Sequence, residues 1–347
     1  MASFDSSRKG APSAPAIADD AWRLAPAVVP RTGGSLRQQV AAWLERHPAL
    51  PYPGGGNTLD RWRLLAEIAG QDVCLAKWLE AHYDAQAILA ELGEPGPAPG
   101  QTWGVWAAEP PTDTLTLTRA PGQREGRLHG TKSWCSGAGS LSHTLVTARE
   151  GEDRVLVAVA LDESVQVDAS GWQAVGMSRI DTAQVTFNST PGRIVGAPGQ
   201  YVARPGFWHG GAGIAACWFG ASRAIAERLR HDRRIAKDPH AAAHLGALDM
   251  QLAGLVALLR QTAALIDAAP RAPHQREVMQ LRSLAESVAT DVVERCGRAL
   301  GAGPLCAERA HAQRCADLLT FVRQHHAERD LEGLGHLAAE AQAAWAL

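Results

Sequence analysis

The hydrophobic pattern of this chain changes period twice, and that switch limits its fold more than any other feature. From Ser35 to Leu92 apolar residues recur at helical spacing. Leu36, Val40, Trp43 and Leu44 form one stripe, Leu59, Trp62, Leu65 and Ile68 a second, and Leu75, Leu79, Tyr83, Ala87 and Leu89 a third. Ser35, Thr58 and Asp72 stand where helix caps belong. Residues 48–58 and 93–100, rich in Pro and Gly, read as a loop and a linker. From Trp103 the period falls to two: residues 115–118, 127–129, 143–148, 155–161 and 184–187 read as strands between Gly and Asp turns. From Phe207 the helical period returns, over about 207–236, 240–268, 273–300 and 306–328. Four helices of that length make an antiparallel bundle.

The expected fold is therefore α+β. It has an N-terminal helical domain over residues 17–99, a middle β-domain, a small barrel or sandwich, over 100–203 and a C-terminal four-helix bundle over 204–347. Residues 1–16, mostly Ser, Pro, Ala and Gly, read as a disordered tail.

Composition removes several function classes. Lys and Arg number 34 against 36 Asp and Glu, with no sustained basic stretch, so nucleic acid is not expected as a partner. No apolar run approaches the ~20 residues that span a bilayer. The N-terminus lacks the apolar centre of a signal peptide, so a cytoplasmic protein is expected. The six cysteines (Cys74, Cys135, Cys217, Cys296, Cys306, Cys315) have no CxxC spacing and read as reduced, buried thiols. No HExxH and no GxSxG occurs, which leaves no expectation of a metal site or a serine hydrolase. Eleven tryptophans against three tyrosines leave some indoles free to line a ligand slot.

Four segments carry more specific information. They are Trp103-Gly-Val-Trp-Ala-Ala-Glu109-Pro110, Leu128-His-Gly-Thr-Lys132-Ser-Trp134-Cys-Ser136-Gly-Ala-Gly, the run from Val175 to Phe187, and Arg298-Ala-Leu-Gly301-Ala-Gly303-Pro-Leu. Together with Gly54–Thr58 and the helical run after it, they resemble the acyl-CoA dehydrogenase family in the right order over roughly residues 35–335. There, "T-E-P" and "G-x-K-x-W-I-T" segments on neighbouring barrel strands form the floor of a flavin site. The 175–187 run is similar to a strand pair that closes the barrel, and 298–305 to a turn between the last two helices.

The resemblance implies an FAD-dependent α,β-dehydrogenation of an acyl thioester, on CoA or a carrier protein, with an electron-transfer partner. It places Ser136 opposite flavin N5, Trp134 beside the ring, and the backbone of Ala107, Ala108 and Glu109 at the ring edge. It also implies phosphate contacts from Arg233 and Arg234, with Lys237 nearby, and from the turn at Gly301 and Gly303. A homodimer or homotetramer would complete the cofactor site. Read without the resemblance, the same residues are ordinary barrel positions, a cationic helix end and a helix stop.

Two departures open alternatives. After Pro110 the family continues with a glycine-rich loop, whereas this chain has Pro111-Thr112-Asp113-Thr114. Thr112 or Thr114 is then the substitute for the family's serine hydroxyl. The family's base glutamate falls at His325, and its alternative position falls in the stretch around His209. Neither is a carboxylate, although imidazole also titrates near neutral pH. Glu328 is a displaced candidate, read more simply as solvated. These departures leave two further readings: a monooxygenase supplied with reduced flavin by a partner reductase, or a non-catalytic scaffold.

Overall fold

The structure is a computed structural model that describes residues 34–342 and Trp345. The expected tail at 1–16 lies outside the described residues. Helix α1 (Leu36–Arg46) opens on a capping box: Gln38 N–H donates to Ser35 Oγ at 3.3 Å, and Ser35 N–H to Gln38 Oε1 at 2.8 Å. It buries Leu36, Val40 and Trp43, and the Trp43 indole donates to Tyr83 Oη at 2.9 Å. Helix α2 (Thr58–Gln71) corrects one expectation. Its cap residue is Asn57, which makes no side-chain cap bond, and Thr58 is the first helical residue. The open amides are met instead by Asp267, far away in sequence. Helix α3 (Val73–Glu91) is capped as expected, with Leu75 N–H donating to Asp72 Oδ1 at 3.1 Å.

Seven strands follow: β1 (Trp103–Trp106), β2 (Thr116–Thr118), β3 (Glu125–Cys135), β4 (His143–Glu150), β5 (Asp153–Ala160), β6 (Val165–Asp168) and β7 (Ala183–Val195). The ladder β4–β2–β3–β7–β5 closes because β5 also pairs with β4, which makes the expected barrel. Strand β1 lies parallel on β4, and β6 pairs with β7. Strand β6 escaped the sequence reading because it is only four residues long and mostly exposed, too short for its Val-Gln-Val-Asp alternation to stand out. The run from Val175 to Phe187 is only half strand. Its first part is a turn with one 3-10 segment at Ser178–Ile180, tied to the last bundle helix by Met177 N–H to Asp317 Oδ1 at 2.6 Å.

The C-terminal half holds α4 (Gln200–Ala203), α5 (Gly206–Arg230), α6 (Pro239–Ala268), α7 (Gln275–Leu300), α8 (Gly303–Ala307), α9 (Arg309–Phe321) and α10 (Glu328–Glu340). Helices α6 and α7 match the expected limits within two residues, whereas α5 stops at Arg230, short of the expected 236, and a separate 3-10 turn follows at Arg233–Ala236. The fourth expected helix is broken: α9 stops at Phe321, a 3-10 turn follows at Val322–Gln324, and Ala327 adopts φ 49° before α10 begins. Helices α2 and α5 cross closely because Gly220 has no side chain; a Cβ there would overlap the backbone of Ala66. Helix α6 corrects the reading of hydropathy. Among the described residues it is the one helix long and apolar enough to cross a membrane, with an 18-residue window at mean hydropathy 1.5. Only 17% of that window is buried. Its alanines and glycines hid it as an apolar run. Helix α3 docks the barrel, packing Ala85, Ile88 and Leu89 against Trp103, Leu145, Leu156 and Val195.

Candidate active site

The site begins at a bulge. Strand β3 pairs with β7, through one register shift between Leu128 and His129, as far as Lys132↔Val185, and resumes at Cys135↔Ala183. The two residues between are unpaired, which bends the strand and re-aims its side chains. Trp134 sits there at φ 59°, a conformation that costs a non-glycine residue about 1–3 kcal/mol. The strain lifts its indole off the barrel: Trp134 is 60% exposed and meets Trp172 edge to face at 6.1 Å. Cys135 turns inward, where burial pushes its thiol above the ordinary range.

Ser136 follows at the mouth of the barrel. Its carbonyl accepts the Trp106 indole N–H at 3.0 Å, and its hydroxyl has a long 3.5 Å contact from Thr182 Oγ1. A small recess lies beside it, lined by Lys77, Trp78 and Ala81 of α3, Trp103 and Gly104 of β1, and Ser136, Gly137, Leu141 and Ile180. Its volume is about 10 Å³, enough for roughly one water-sized atom group. Lys77 Nζ donates to Glu80 Oε2 at 3.4 Å and lies 5.9 Å from the centre of the Phe321 ring. Burial raises the Glu80 carboxyl, with the Lys77 ammonium opposing. The Trp78 indole N–H is buried without a partner. Sequence reasoning missed Lys77. The available signal was a Lys and a Glu three residues apart inside the most buried helix of the N-terminal half.

The β1–β4 ladder ends at Trp106↔Val146, so the backbone of Ala107, Ala108 and Glu109 lies past its end, next to this mouth. The Glu109 side chain is turned to Arg154, 2.9 Å away. The shortened loop is fastened to β3. Asp113 accepts Ser133 N–H at 2.9 Å and faces the buried Lys132 ammonium at 3.6 Å. The Thr114 hydroxyl accepts Thr131 N–H at 3.2 Å, so it is engaged within the barrel. Thr112 is exposed.

The expected phosphate contacts form a separate corner. Arg234 Nη1 donates to Leu300 O at 2.7 Å, next to Gly301, which ends α7 at φ 69°. The structure therefore brings Arg234 and the Gly301–Gly303 turn together, with the guanidinium capping a helix C-terminus. Arg233 stands exposed on the preceding 3-10 turn.

His325 lies in neither group. Its side chain is 1% exposed. Nδ1 accepts Ala327 N–H at 3.1 Å, and Nε2 faces Ser283 Oγ at 3.0 Å and Asp330 Oδ2 at 3.7 Å. Serine and carboxylate share one nitrogen, which is not the relay order of a nucleophilic triad. Burial lowers its pKa. The break in the fourth helix thus encloses His325 against α7 and α10, and His325 does not line the recess. His209 is also buried, at 2.9 Å from Ala272 O. A wider basin of about 660 Å³ lies elsewhere on the barrel, by Arg119, Arg127 and Arg193. Those arginines are engaged by Glu150, Ser189 O and Glu94 respectively.

No protein-family profile and no curated protein sequence matches this chain. Solved structures do. Butyryl-CoA dehydrogenase from Megasphaera elsdenii aligns with TM-score 0.77 at 15% identity, over 92% of this chain and 96% of that one. TdsC from Paenibacillus sp. A11-2, a dibenzothiophene monooxygenase, aligns in its complex with FMN and indole at TM-score 0.73 and 18% identity, over 91% and 93%. KijD3, in complex with FMN and a dTDP-linked keto sugar, aligns at TM-score 0.72 and 17% identity, over 91% and 89%. The chain has the acyl-CoA dehydrogenase fold. Within that fold it is similar to a dehydrogenase and to flavin-binding enzymes that include a monooxygenase.

Proposed function

We propose that the protein is a flavin-dependent oxidoreductase that works with reduced flavin and oxygen on a small organic substrate, as a monooxygenase. The observation that carries this reading is that no carboxylate lines the recess beside Ser136. Removing the α-proton of an acyl thioester needs a proton acceptor placed at the substrate. Glu109 is paired to Arg154 and His325 is enclosed, so the family's dehydrogenation chemistry lacks its base here.

The residues present suit a flavin ring at the barrel mouth. Trp134 and Trp172 provide an aromatic wall, Ser136 a hydroxyl, and the backbone past β1 at Ala107–Glu109 further polar groups. Bound there, a flavin supplies two-electron transfer and oxygen activation. The chain's share is to orient the ring. FMN suits this chain better than the FAD first expected. Arg234 already caps α7, and the loop that would cradle a second phosphate is short and pinned to β3. TdsC and KijD3 each hold FMN.

The exposed apolar face of α6 supports assembly into a homodimer or homotetramer, with a reductase as a transient partner. The deciding experiment is an absorption spectrum of the purified protein before and after adding FMN or FAD and removing the excess. A retained, perturbed flavin band is expected, followed by oxygen-dependent turnover with reduced flavin. A protein that retains no flavin and also shows no oxygen-dependent turnover with supplied reduced flavin is a scaffold and not this enzyme.

A further inference from the structure

We propose that Asp113 is a positioning residue for the flavin wall. It holds the bulge of β3 that carries Trp134, so the loop after Pro110 serves as a clasp on that strand and not as a cradle for phosphate. The proposal deepens the flavin reading by adding a residue to its site, and rests on it for the ligand that Trp134 meets.

A bulge takes backbone groups out of the ladder, and those groups need partners from elsewhere. Between Lys132↔Val185 and Cys135↔Ala183, β3 has two residues, Ser133 and Trp134, where β7 has one, Gln184. Ser133 N–H donates to Asp113 Oδ1 at 2.9 Å, a bond strengthened by the carboxylate charge. The inward-turned Cys135 thiol meets the carbonyls of the same turn, Lys132 O at 3.3 Å and Ser133 O at 3.7 Å. The backbone is thus held on both sides of Trp134, whose φ of 59° would otherwise relax.

Asp113 is itself fixed from two directions. Its side chain is 8% exposed, and Oδ2 faces the buried Lys132 ammonium at 3.6 Å. Oδ2 has no hydrogen bond of its own, so attraction to that ammonium orients the carboxylate and leaves Oδ1 for Ser133. Lys132 is anchored in turn by donating to Thr147 Oγ1 at 2.9 Å. The loop backbone also lies directly on β3. Thr114 N–H donates to Thr131 O at 3.2 Å, and Thr131 N–H to Thr114 Oγ1 at 3.2 Å. Gly130 permits this approach: it adopts φ 110°, and a Cβ there would overlap Thr114 O. Loop and ammonium together aim one carboxylate oxygen at an amide that the bulge leaves open.

The test separates the bond to Ser133 from the ion pair to Lys132. Losing Asp113 alone would strand a buried charge, so both chains compared carry Lys132→Met. One adds Asp113→Asn, which keeps an acceptor for Ser133 N–H; the other adds Asp113→Ala, which removes it. At a temperature where both stay folded, hydrogen exchange of the Ser133 amide and the indole N–H resonance of Trp134, assigned with Trp134→Phe, read the bulge without flavin. Absorption after addition of FMN reads the wall. In the alanine chain Ser133 should exchange at least roughly tenfold faster, and FMN should bind roughly tenfold more weakly, the worth of one hydrogen bond to this site. The Trp134 signal should also leave its position against Trp172. In the asparagine chain all three should stay near those of the unmodified protein. A carboxylate that only neutralises Lys132 predicts no difference between the two chains. Should these chains fail to fold, Asp113→Glu decides: it keeps the charge beside Lys132, displaces the oxygen from Ser133 and should reproduce the alanine result. Equal exchange with an unmoved Trp134 signal overturns the proposal, and so does equal FMN binding with Trp134 displaced. An unmodified protein that binds no FMN, while the exchange and indole differences hold, defeats the flavin reading alone and leaves Asp113 as the residue that sets Trp134.

Discussion

The Thr58 hydroxyl donates to Asp267 Oδ1 at 2.6 Å, joining the first turn of α2 to the last turn of α6. The same carboxylate accepts Gly56 N–H and Thr58 N–H, each at 3.0 Å. A negative charge thus meets the open amides of a helix N-terminus that has no side-chain cap of its own. Asp267→Ala is expected to lower stability by about 2–3 kcal/mol, the worth of charge-assisted bonds at a partly buried site. Urea denaturation measures it, and a loss under about 0.5 kcal/mol, the range of plain surface changes, would mean that water replaces the carboxylate.

Trp134 separates stability from function. Glycine adopts a φ of 59° without strain, whereas alanine retains it. Trp134→Gly should therefore be about 1 kcal/mol more stable than Trp134→Ala. Both variants should lose retained flavin. If both keep the flavin band, the indole is not the wall of the site.

His325 should matter to folding and not to the cofactor. Replacing it with alanine removes the acceptor of Ala327 N–H and the partner of Ser283 in a closed site. A loss of about 2–3 kcal/mol is expected, as for other buried hydrogen-bond networks. Flavin affinity, measured by titration at a temperature where the variant stays folded, should not change. A large selective loss of flavin would return His325 to the active site.

Acid should weaken the fold through His82. Burial lowers its pKa from 6.5 to about 4, and its Nδ1 accepts Trp103 N–H at 3.1 Å between α3 and β1. Between those values the unfolded state binds the extra proton, so stability rises with pH across the window. The contribution is complete above 6.5 and is lost as pH falls toward 4. At about 1.4 kcal/mol per unit it amounts to roughly 3 kcal/mol. Denaturation midpoints on the two sides of this window should differ less in His82→Gln. An equal pH dependence in that variant would assign the effect to other buried histidines.

Helix α6 should govern assembly. Met250, Ala253, Gly254 and Ala257 are exposed on a helix whose apolar window is little buried. Small residues let a second helix approach closely, and Ala253→Arg places a charge in that contact. Sedimentation is expected to show a dimer or tetramer for the unmodified chain and a smaller species for the variant. An unchanged assembly would leave this face open to solvent.

Parts of the site were legible in the sequence and parts were not. The "K-x-W" segment located Ser136 and Trp134 because bulge, strand and turn are encoded within a few residues. Lys77 was invisible, because its relation to Ser136 exists only once α3 lies on β1. Arg234 was read as a phosphate ligand by position in the chain, yet its guanidinium meets a helix end that the chain brings to it from α7. His325 was assigned by laying Asp317 on the family's pattern, and its closed contacts with Ser283 and Asp330 arise only where the chain turns after Phe321.

By itself, the sequence determined the helix–strand–helix order and most element limits, because hydrophobic periodicity is a local property that burial enforces residue by residue, whereas closure of the strands into a barrel rests on the pairing of β5 with β4. The tertiary structure alone decided which polar groups share a space. Lys77 meets Glu80 and the Phe321 ring, while Glu109, Arg234 and His325 find partners elsewhere in the chain. Such pairings follow from how helices dock on the barrel, and no local pattern along the chain records which donor will meet which acceptor.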